Sequence, residues 1–225
     1  MKDKIEEILK SLSEERPIFW SEADFQFAFA WKIQKAFPKA KVRLERREEI
    51  CKDGKDDTKI PAYIDIWVEM EDDLIPIELK YKTKECTIKH NGEDYNLTTH
   101  SACDLGCHDY LKDIERIEQL AKKDDFKVGY AIMITNDMLY INPPKSSKAT
   151  SYDEFRIYEG REFKGDETLK WKPSQKEGRT DVVKWQSDSG SVNIHGKYKI
   201  EWEKYSHLEV KNGTFKYTIC EITKD

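Results

Sequence analysis

The segment from Ala62 to Lys82, AYIDIWVEMEDDLIPIELKYK, contains the two most apolar runs in an otherwise highly charged part of the chain. Its composition predicts two strands, at residues 63–68 and 75–82, joined by an acidic turn at 71–73. Runs this apolar are typical of central strands rather than edge strands. We therefore expect the acidic residues within them to be partly buried.

The alternation of side chains along a strand sets which charged residues of this hairpin can meet. Glu78, Lys80 and Lys82 share one face of the second strand. On the first strand, Asp65 is expected on the face opposite its aliphatic residues. These aliphatic residues, predicted to share a face, are Ile64, Ile66 and Val68. Because a hairpin joins the two strands, Asp65 and Glu78 are expected side by side on one face.

The pair of carboxylates formed by Asp65 and Glu78 predicts a metal site. Two neighbouring carboxylates repel each other unless a cation lies between them, and oxygen ligands suit hard cations such as Mg²⁺ or Mn²⁺. Lys80 would place an ammonium beside the metal, where it orients or deprotonates a water or offsets charge on a phosphate. The alternative interpretation is an exposed hairpin face that carries mixed charges.

Upstream of the hairpin, a helix is predicted from Ser21, a good N-cap residue, to Phe37-Pro38, with Asp24 at the capping-box position. Its apolar stripe consists of Phe25, Phe29 and Ile33. Glu22 shares this stripe, and a glutamate that faces a core is unusual without a partner. Glu22 is therefore a further candidate for the site, although the helix dipole alone also favours an acid there.

The remaining elements are predicted from apolar periodicity. They are a helix at 2–12, a strand at 41–50, a hairpin turn at 53–57, a loop from 83 to about 104, a helix at 109–123 and a strand at 128–134. The inner stripe of the 109–123 helix is Tyr110, Ile114, Ile117 and Ala121. This order predicts an α/β fold with a mixed central sheet flanked by helices.

The composition changes after Pro143 to short, aromatic-rich strands broken by Gly, Ser and Asp. We assign residues 1–143, including the N-terminal helix, to the core. Residues 144–225 are assigned to a β-rich C-terminal extension that adds strands to the sheet or covers one of its faces. We expect this extension to pack on the core and not to fold independently.

The overall composition limits the classes of protein that the chain can be. A formal net charge of -5 means that a nucleic acid would have to be bound by a local basic patch. An aromatic content of 12% argues against disorder, because aromatic residues need a core. The absence of a long apolar run and of a signal peptide, with an odd 5 cysteines, predicts a cytoplasmic protein with free thiols and no membrane association.

The chain has an acid on the helix that begins at Ser21, an aspartate on one strand and Glu-x-Lys on the next strand. This arrangement resembles the motif of the PD-(D/E)xK nuclease superfamily. In this chain the four positions are Glu22, Asp65, Glu78 and Lys80, within about residues 19–136. The proline that precedes the aspartate in the superfamily is not adjacent here, since Pro61 lies four residues earlier. The resemblance implies a restriction-endonuclease-like version of the mixed central sheet flanked by helices.

The same resemblance implies roles for the residues. Asp65 and Glu78 would hold Mg²⁺ or Mn²⁺ together with the backbone carbonyl of Leu79. Glu22 would bind the metal directly or through a water. Lys80 would position the attacking water.

Three runs also resemble an uncharacterised prokaryotic group within that superfamily. They are FWSEADFQ at 19–26, ELKYKT at 78–83 and YLKDIER at 110–116, with a weaker similarity from Gly196 to Tyr205. That group implies a fold and a metal-dependent phosphodiesterase site, but no substrate.

Four polar residues are candidates for binding the substrate phosphate. The superfamily aims a polar residue at the scissile phosphate from the helix that contains Asp113 and Arg116, and Arg116 would bind it through two hydrogen bonds. Gln26 and Lys82 complete the set. The alternative for Asp113 and Arg116 is a surface ion pair, worth under about 1 kcal/mol.

A zinc site is an alternative interpretation of the segment before the 109–123 helix. Its candidate ligands are His100, Cys103, Cys107 and His108, with Cys86 and His90 as further choices. Adjacent Cys107 and His108 rarely chelate one ion, and zinc ligand pairs follow tighter spacing rules. In the resembling group, Cys107 and His108 look like substitutions of an arginine and a tyrosine.

The densest basic stretch offers a possible contact with a nucleic-acid backbone. It consists of Lys32, Lys35, Lys39, Lys41, Arg43, Arg46 and Arg47. Glu45, Glu48 and Glu49 are interleaved with it, so a solvated charged face explains the stretch equally well.

The leading hypothesis is a metal-dependent nuclease, endonuclease or exonuclease, that hydrolyses DNA in preference to RNA. A homodimer that cuts two strands is compatible with it. One alternative is a catalytically silent nucleic-acid-binding or regulatory module on the same fold. Another is an interaction protein stabilised by zinc.

Overall fold

A computed structural model of the chain describes residues 1–52, 55–71, 73–145 and 148–224. The helices are α1 Lys2–Glu15, α2 Glu22–Ala36, α3 Cys103–Leu120, α4 Met138–Ile141 and α5 Lys184–Ser189, with 3₁₀ turns at Asp153–Phe155 and Gln175–Glu177. The first six strands are β1 Lys41–Lys52, β2 Lys55–Met70, β3 Asp73–Lys82, β4 Cys86–His90, β5 Glu93–Leu97 and β6 Val128–Thr135. The others are β7 Glu162–Lys164, β8 Glu167–Leu169, β9 Val192–Ile194, β10 Lys197–Lys199, β11 Glu203–His207 and β12 Thr214–Thr223.

A six-stranded sheet with the order β1-β2-β3-β6-β12-β11 forms the centre of the protein. Neighbouring strands are antiparallel except for β3 and β6, which are parallel. A parallel pair needs a crossover connection, and α3 lies within that crossover. The predicted mixed α/β fold with a central sheet flanked by helices is confirmed.

The two faces of the sheet are covered by different parts of the chain. Helices α1 and α2 pack on one face, against aliphatic residues such as Ile66, Ile77 and Ile132. Helix α3 and the segment from about residue 155 to residue 202 pack on the other face, against residues such as Ala131 and Met133. Charged residues of β3 that point away from α1 and α2 must therefore lie beneath α3.

Local sequence signals account for α2 and β6. The Ser21 side chain caps α2 by accepting a hydrogen bond from the backbone N–H of Asp24, which confirms the predicted N-cap. All eight residues of Val128–Thr135 are buried, as the continuous apolar run predicts for a strand covered on both faces.

Several boundaries differ from the sequence-based prediction. Strand β2, predicted at 63–68, runs from Lys55 to Met70. The predicted loop contains the hairpin of β4 and β5, whose turn residues Asn91 and Gly92 both adopt positive φ, 50° and 86°. An Asn-Gly pair favours this tight turn, so the signal was present in the sequence. Helix α3 begins at Cys103 rather than Asp109 and ends at Leu120, because its first turns pack against the C-terminal segment instead of extending as a loop.

The C-terminal segment both extends the sheet and covers one face of it. Strands β11 and β12 continue the sheet beyond β6. The predicted turn at 53–57 includes residues 53 and 54, which lie outside the described residues. Of the helices in the described ranges, none has the length and apolar character needed to span a bilayer.

Candidate active site

Asp65 lies at the point where β2 separates from β3. The backbone pairing of the two strands extends to Ile66 and Ile77. Beyond this pair, side chain–backbone hydrogen bonds join the two strands in place of backbone–backbone ones. The Asp65 N–H donates to Glu78 Oε2 at 3.4 Å, and Asp65 Oδ2 accepts from the Leu79 N–H at 2.6 Å. The structure therefore brings Asp65 and Glu78 together at the end of a strand pair.

Gln26 of α2 holds this part of β2 in place. Its Nε2 donates to the Asp65 carbonyl at 2.8 Å and to Glu45 Oε1 at 2.7 Å. Glu45 has a φ of 52°, and the pairing of β1 with β2 omits it opposite Asp65. In this arrangement both amide hydrogens of Gln26 are used inside the protein, so Gln26 positions Asp65 and has no hydrogen left for a phosphate.

One detail of the predicted strand faces is wrong. Ile64 was expected to share a face with Ile66 and Val68, but it packs in the α3-side cluster while the other two pack beneath α1 and α2. The residues on either side of Asp65 thus pack on different faces, so an uninterrupted period of two fails at Asp65, at the position where the pairing with β1 omits Glu45.

Glu22 joins the first turn of α2 to β3. Its Oε2 accepts a hydrogen bond from the Tyr81 N–H at 2.8 Å. The Tyr81 hydroxyl is in turn bonded to the backbone of Phe19, donating to its carbonyl at 3.1 Å. These contacts place the Glu22 carboxylate beside the residues that follow Lys80, close enough to influence the pKa of Lys80.

Helix α3 contributes two charged residues to the same cluster. Asp113 Oδ2 lies 2.6 Å from Lys80 Nζ, and Arg116 Nη1 lies 2.5 Å from Glu78 Oε1 and 3.3 Å from Asp113 Oδ1. Asp113 is 2% exposed and Glu78 1% exposed. The ion pair between Asp113 and Arg116 is therefore present, but it is not a surface pair, because Asp113 is buried and Arg116 is only partly exposed.

The acids of the cluster are held in an environment that disfavours their charge. Burial raises the pKa of Asp65 to about 6, although Lys80 and the Leu79 N–H oppose the rise. Burial and the neighbouring Asp113 raise the pKa of Glu78 well above its usual value, against the effect of Arg116. Burial also raises the pKa of Asp113. The positive charges present do not fully compensate the carboxylates.

The two basic residues keep their charge. Burial alone would lower the pKa of Lys80, but Asp113, Asp65 and Glu22 outweigh it and raise this pKa above its usual value. The pKa of Arg116 is likewise raised by Glu78 and Asp113 against the effect of burial. Lys80 is therefore an ammonium at neutral pH, so it can orient a water by donation but cannot deprotonate one.

The residues present fit a hard divalent cation in charge and donor type. Four carboxylates, Glu22, Asp65, Glu78 and Asp113, face the two cations Lys80 and Arg116, which leaves an excess of two negative charges when all are ionised. All the donors are oxygens, which suit Mg²⁺ or Mn²⁺. The carbonyl of Leu79 accepts a hydrogen bond from Lys80 at 3.2 Å. Among the described side chains, no group of three or more His, Cys, Asp or Glu is arranged to hold a metal ion.

Sequence reasoning named Asp113 but gave it an unsuitable role. A buried carboxylate that pairs with two cations would repel a phosphate, so Asp113 instead holds Lys80 and Arg116. Its partnership with Lys80 depends on how α3 crosses β3, which strand and helix patterns do not reveal. Glu45 was missed, because no local signal marks an acid whose only role is to orient Gln26.

The remaining basic candidates lie nearer the surface. Lys82 is partly exposed and follows Lys80 along β3. Within the basic stretch, Lys32 pairs with Glu15 at 2.5 Å and Arg46 with Glu69 at 2.6 Å. These pairs support a solvated charged face for part of that stretch.

The candidate ligands of the alternative zinc site lie in different elements and make other contacts. Cys103 and Cys107 lie in the first turns of α3, and burial raises the pKa of the Cys107 thiol well above its usual value. The His108 ring stacks on Trp171, with ring centroids 5.4 Å apart. His100 Nδ1 accepts a backbone hydrogen bond from the residue that follows β3. The further choices, Cys86 and His90, both lie on β4.

The chain matches no protein-family model, and no similar curated protein or solved structure was found. The class defined by the fold and the site is thus a mixed α/β protein with a buried acid–lysine–arginine cluster between its sheet and two helices.

Proposed function

We propose that this protein is a metal-dependent phosphodiesterase of the restriction-endonuclease-like type, a nuclease that acts on DNA in preference to RNA. One observation carries the proposal: a buried cluster of four carboxylates and only two cations lies where β2 and β3 separate, and its lysine stays protonated. A protein that buries uncompensated carboxylates loses stability. A role in binding a cation explains why the chain retains them.

Asp65 and Glu78 would hold Mg²⁺ or Mn²⁺, with the Leu79 carbonyl as a further oxygen. When bound, the metal would supply a water of lowered pKa and would polarise a phosphate oxygen. Lys80, held by Asp113 at 2.6 Å, would orient the attacking water by hydrogen-bond donation and would offset charge on the phosphate. Glu22, whose Oε2 accepts a hydrogen bond from the Tyr81 N–H, would bind the metal directly or through a water.

The test compares Glu78→Gln with wild type in calorimetric titration of Mn²⁺ and in cleavage of single-stranded, double-stranded and branched DNA and RNA. Glu78→Gln should lower metal affinity by about tenfold or more and cleavage by about 10²-fold or more, because it removes the negative charge of a ligand. Lys80→Met should keep metal binding and lose cleavage to the same extent.

A matched control is Glu115→Gln, which changes a buried glutamate on the same helix as Asp113. Glu115 faces the C-terminal segment, where its Oε1 accepts from the backbone and side chain of Asn193. This variant should lower stability and leave metal affinity unchanged. A wild-type protein that binds neither Mg²⁺ nor Mn²⁺ and cuts nothing on the panel would refute the proposal.

The second candidate is a catalytically silent nucleic-acid-binding module. It is favoured by one observation: among the described side chains, no group of three or more His, Cys, Asp or Glu is arranged to hold a metal ion. Nucleic-acid binding that persists in Glu78→Gln, without metal dependence or cleavage in wild type, would identify this candidate.

A further inference from the structure

Arg116 is attached to the acid cluster through a single nitrogen. Its Nη1 contacts both Glu78 Oε1 at 2.5 Å and Asp113 Oδ1 at 3.3 Å. Its Nε is buried and has no hydrogen-bond partner among the described residues. Arginines that clamp a carboxylate with a fixed orientation use two nitrogens in a fork, so this single-nitrogen contact leaves the orientation of the guanidinium less constrained.

The partners of Arg116 are fixed, whereas Arg116 lies at the boundary with solvent. The Glu78 side chain is 1% exposed and that of Asp113 3%, but that of Arg116 is 25% exposed. Lys80 is more deeply enclosed, at 13%, and is tied to Asp113 at 2.6 Å and to the Leu79 carbonyl at 3.2 Å. Of the two cations in the cluster, Arg116 is the more exposed and Lys80 the more tightly held.

Arg116 and a divalent cation would compete for the same carboxylate. Glu78 Oε1 accepts from Arg116, and the proposed site needs the Glu78 carboxylate as a ligand. A guanidinium and a divalent cation on one small group would repel each other strongly in a partly dry environment. The arginine contact seen here therefore suits the metal-free state.

We propose that Arg116 is a displaceable counter-ion: it neutralises Glu78 in the metal-free protein, releases it when a divalent cation binds, and then binds a phosphate of a phosphodiester substrate. This inference rests on the proposed function. The released guanidinium keeps its charge, since neighbouring acids are not needed to protonate an arginine. Its planar fork matches the oxygens of a phosphate, which a lysine does not. Asp113 stays with Lys80 throughout.

The test measures metal affinity and substrate affinity separately in Arg116→Met. Calorimetry with Mn²⁺ alone should show binding about tenfold tighter than in wild type, because a competing positive charge has been removed. With Mn²⁺ saturating, KM for an oligonucleotide substrate should rise about tenfold, since a charge-assisted phosphate contact is lost. A merely structural arginine would not move the two affinities in opposite directions.

The matched control is Arg156→Met. Arg156 is a partly buried arginine in the C-terminal segment, and its Nε pairs with Asp153 Oδ1 at 2.8 Å. Its loss should reduce stability without changing the affinity for Mn²⁺. If Arg116→Met does not fold, the wild-type protein labelled with ¹⁵N-arginine provides the same test: the Arg116 side-chain signals should move and exchange faster with water as Mg²⁺ is added.

The outcomes separate this inference from the proposed function. The counter-ion role would be overturned if wild type binds the metal and Arg116→Met binds it no more tightly. It would also be overturned if the labelled Arg116 signals do not change when Mg²⁺ is added. Either result would leave the nuclease proposal standing. Metal binding only in Arg116→Met would support the counter-ion role and count against a wild-type nuclease. If neither protein binds a divalent cation, both proposals fail.

Discussion

At the scale of single residues, Asp65 links the chemistry of the site to the stability of the fold. Burial raises its pKa from 3.8 to about 6. An acid with a raised pKa binds its proton more tightly in the folded state than in the unfolded state. Its ionisation therefore lowers stability as the pH rises from about 4 to about 6, and the full cost is present above that range.

Asp65→Asn should consequently stabilise the metal-free protein at neutral pH. The change removes the charge and keeps an oxygen that can accept from the Leu79 N–H, as Asp65 Oδ2 does. We expect a gain of about 3 kcal/mol at most at pH 7.5, and about half of that at pH 5. Urea denaturation of both proteins in EDTA at the two pH values measures the difference.

The control for this prediction is Glu115→Gln at the same two pH values. Glu115 is paired with Lys112 at 2.8 Å and with Asn193, so its loss should destabilise the protein at both. If Asp65→Asn is less stable than wild type at pH 7.5, the charge of the Asp65 carboxylate is balanced by its neighbours in the folded protein. The excess of negative charge that motivates the metal site would then be wrong.

At the scale of elements, the beginning of α2 determines where Glu22 and Gln26 lie. Ser21 caps the helix at the Asp24 N–H, at 3.2 Å. The Asp24 carboxylate does not return to the Ser21 N–H as in a full capping box. It accepts instead from the Trp20 N–H and from the guanidinium of Arg16. The helix start is thus fixed by one hydroxyl and one acid.

Ser21→Ala should destabilise the protein by about 1 kcal/mol, because the Asp24 N–H would lose its partner at the helix end. Thermal and urea denaturation provide the measurement. The matched control is Ser13→Ala on α1, where the hydroxyl bonds only to the Lys10 carbonyl within the helix, and it should change stability by less than about 0.5 kcal/mol. Equal effects of the two changes would contradict the capping role.

The elements around the site were predictable because each has a strong local signal. The cap at Ser21, the Glu-x-Lys alternation of β3 and the apolar run of β6 follow from short stretches of sequence. The proximity of Asp65 and Glu78 followed from a hairpin with regular alternation. These features depend on neighbours in the chain.

The rest of the site depends on contacts between distant segments. Asp113 is 35 residues or so from Glu78 in the chain, and its burial follows from the crossing of α3 over β3 rather than from helix periodicity. That periodicity placed Asp113 on the polar side of α3, and the structure buries it beside Lys80. The break in β2 alternation at Asp65 coincides with the positive φ of Glu45 on the neighbouring strand. The sequence pattern of a single element therefore predicts neither the burial of Asp113 nor the break at Asp65.

At the scale of the whole molecule, the C-terminal segment is built into the same core as the site. Strand β12 pairs with β6 along eight residues, from Lys216 opposite Thr135 to Thr223 opposite Val128. Glu118 of α3 accepts from the backbone of His195 and from the hydroxyl of Tyr198. The helix that supplies the site's charges is therefore also anchored to the end of the chain.

A second set of contacts joins β11 to the opposite face. The Tyr205 hydroxyl donates to the Arg16 carbonyl at 2.9 Å, and the Ser206 hydroxyl donates to the Pro17 carbonyl at 2.5 Å. These hydrogen bonds fix the segment between α1 and α2, just before Glu22. Both walls of the site thus depend on residues near the C-terminal end.

Removing residues 144–225 should for these reasons unfold the remaining chain. The truncation would leave the backbone groups of β6 without the β12 ladder. It would also uncover His108 of α3, which is 3% exposed and packs against Phe155 and Trp171. The free-energy cost of leaving this backbone unpaired and this apolar surface exposed exceeds the free energy of unfolding of a typical whole domain, about 5–15 kcal/mol. Circular dichroism and urea denaturation of residues 1–143 should show no cooperative transition, whereas the full chain should unfold in a single step by fluorescence and by circular dichroism. A soluble 1–143 fragment with a cooperative transition would show instead that the extension is dispensable for the fold.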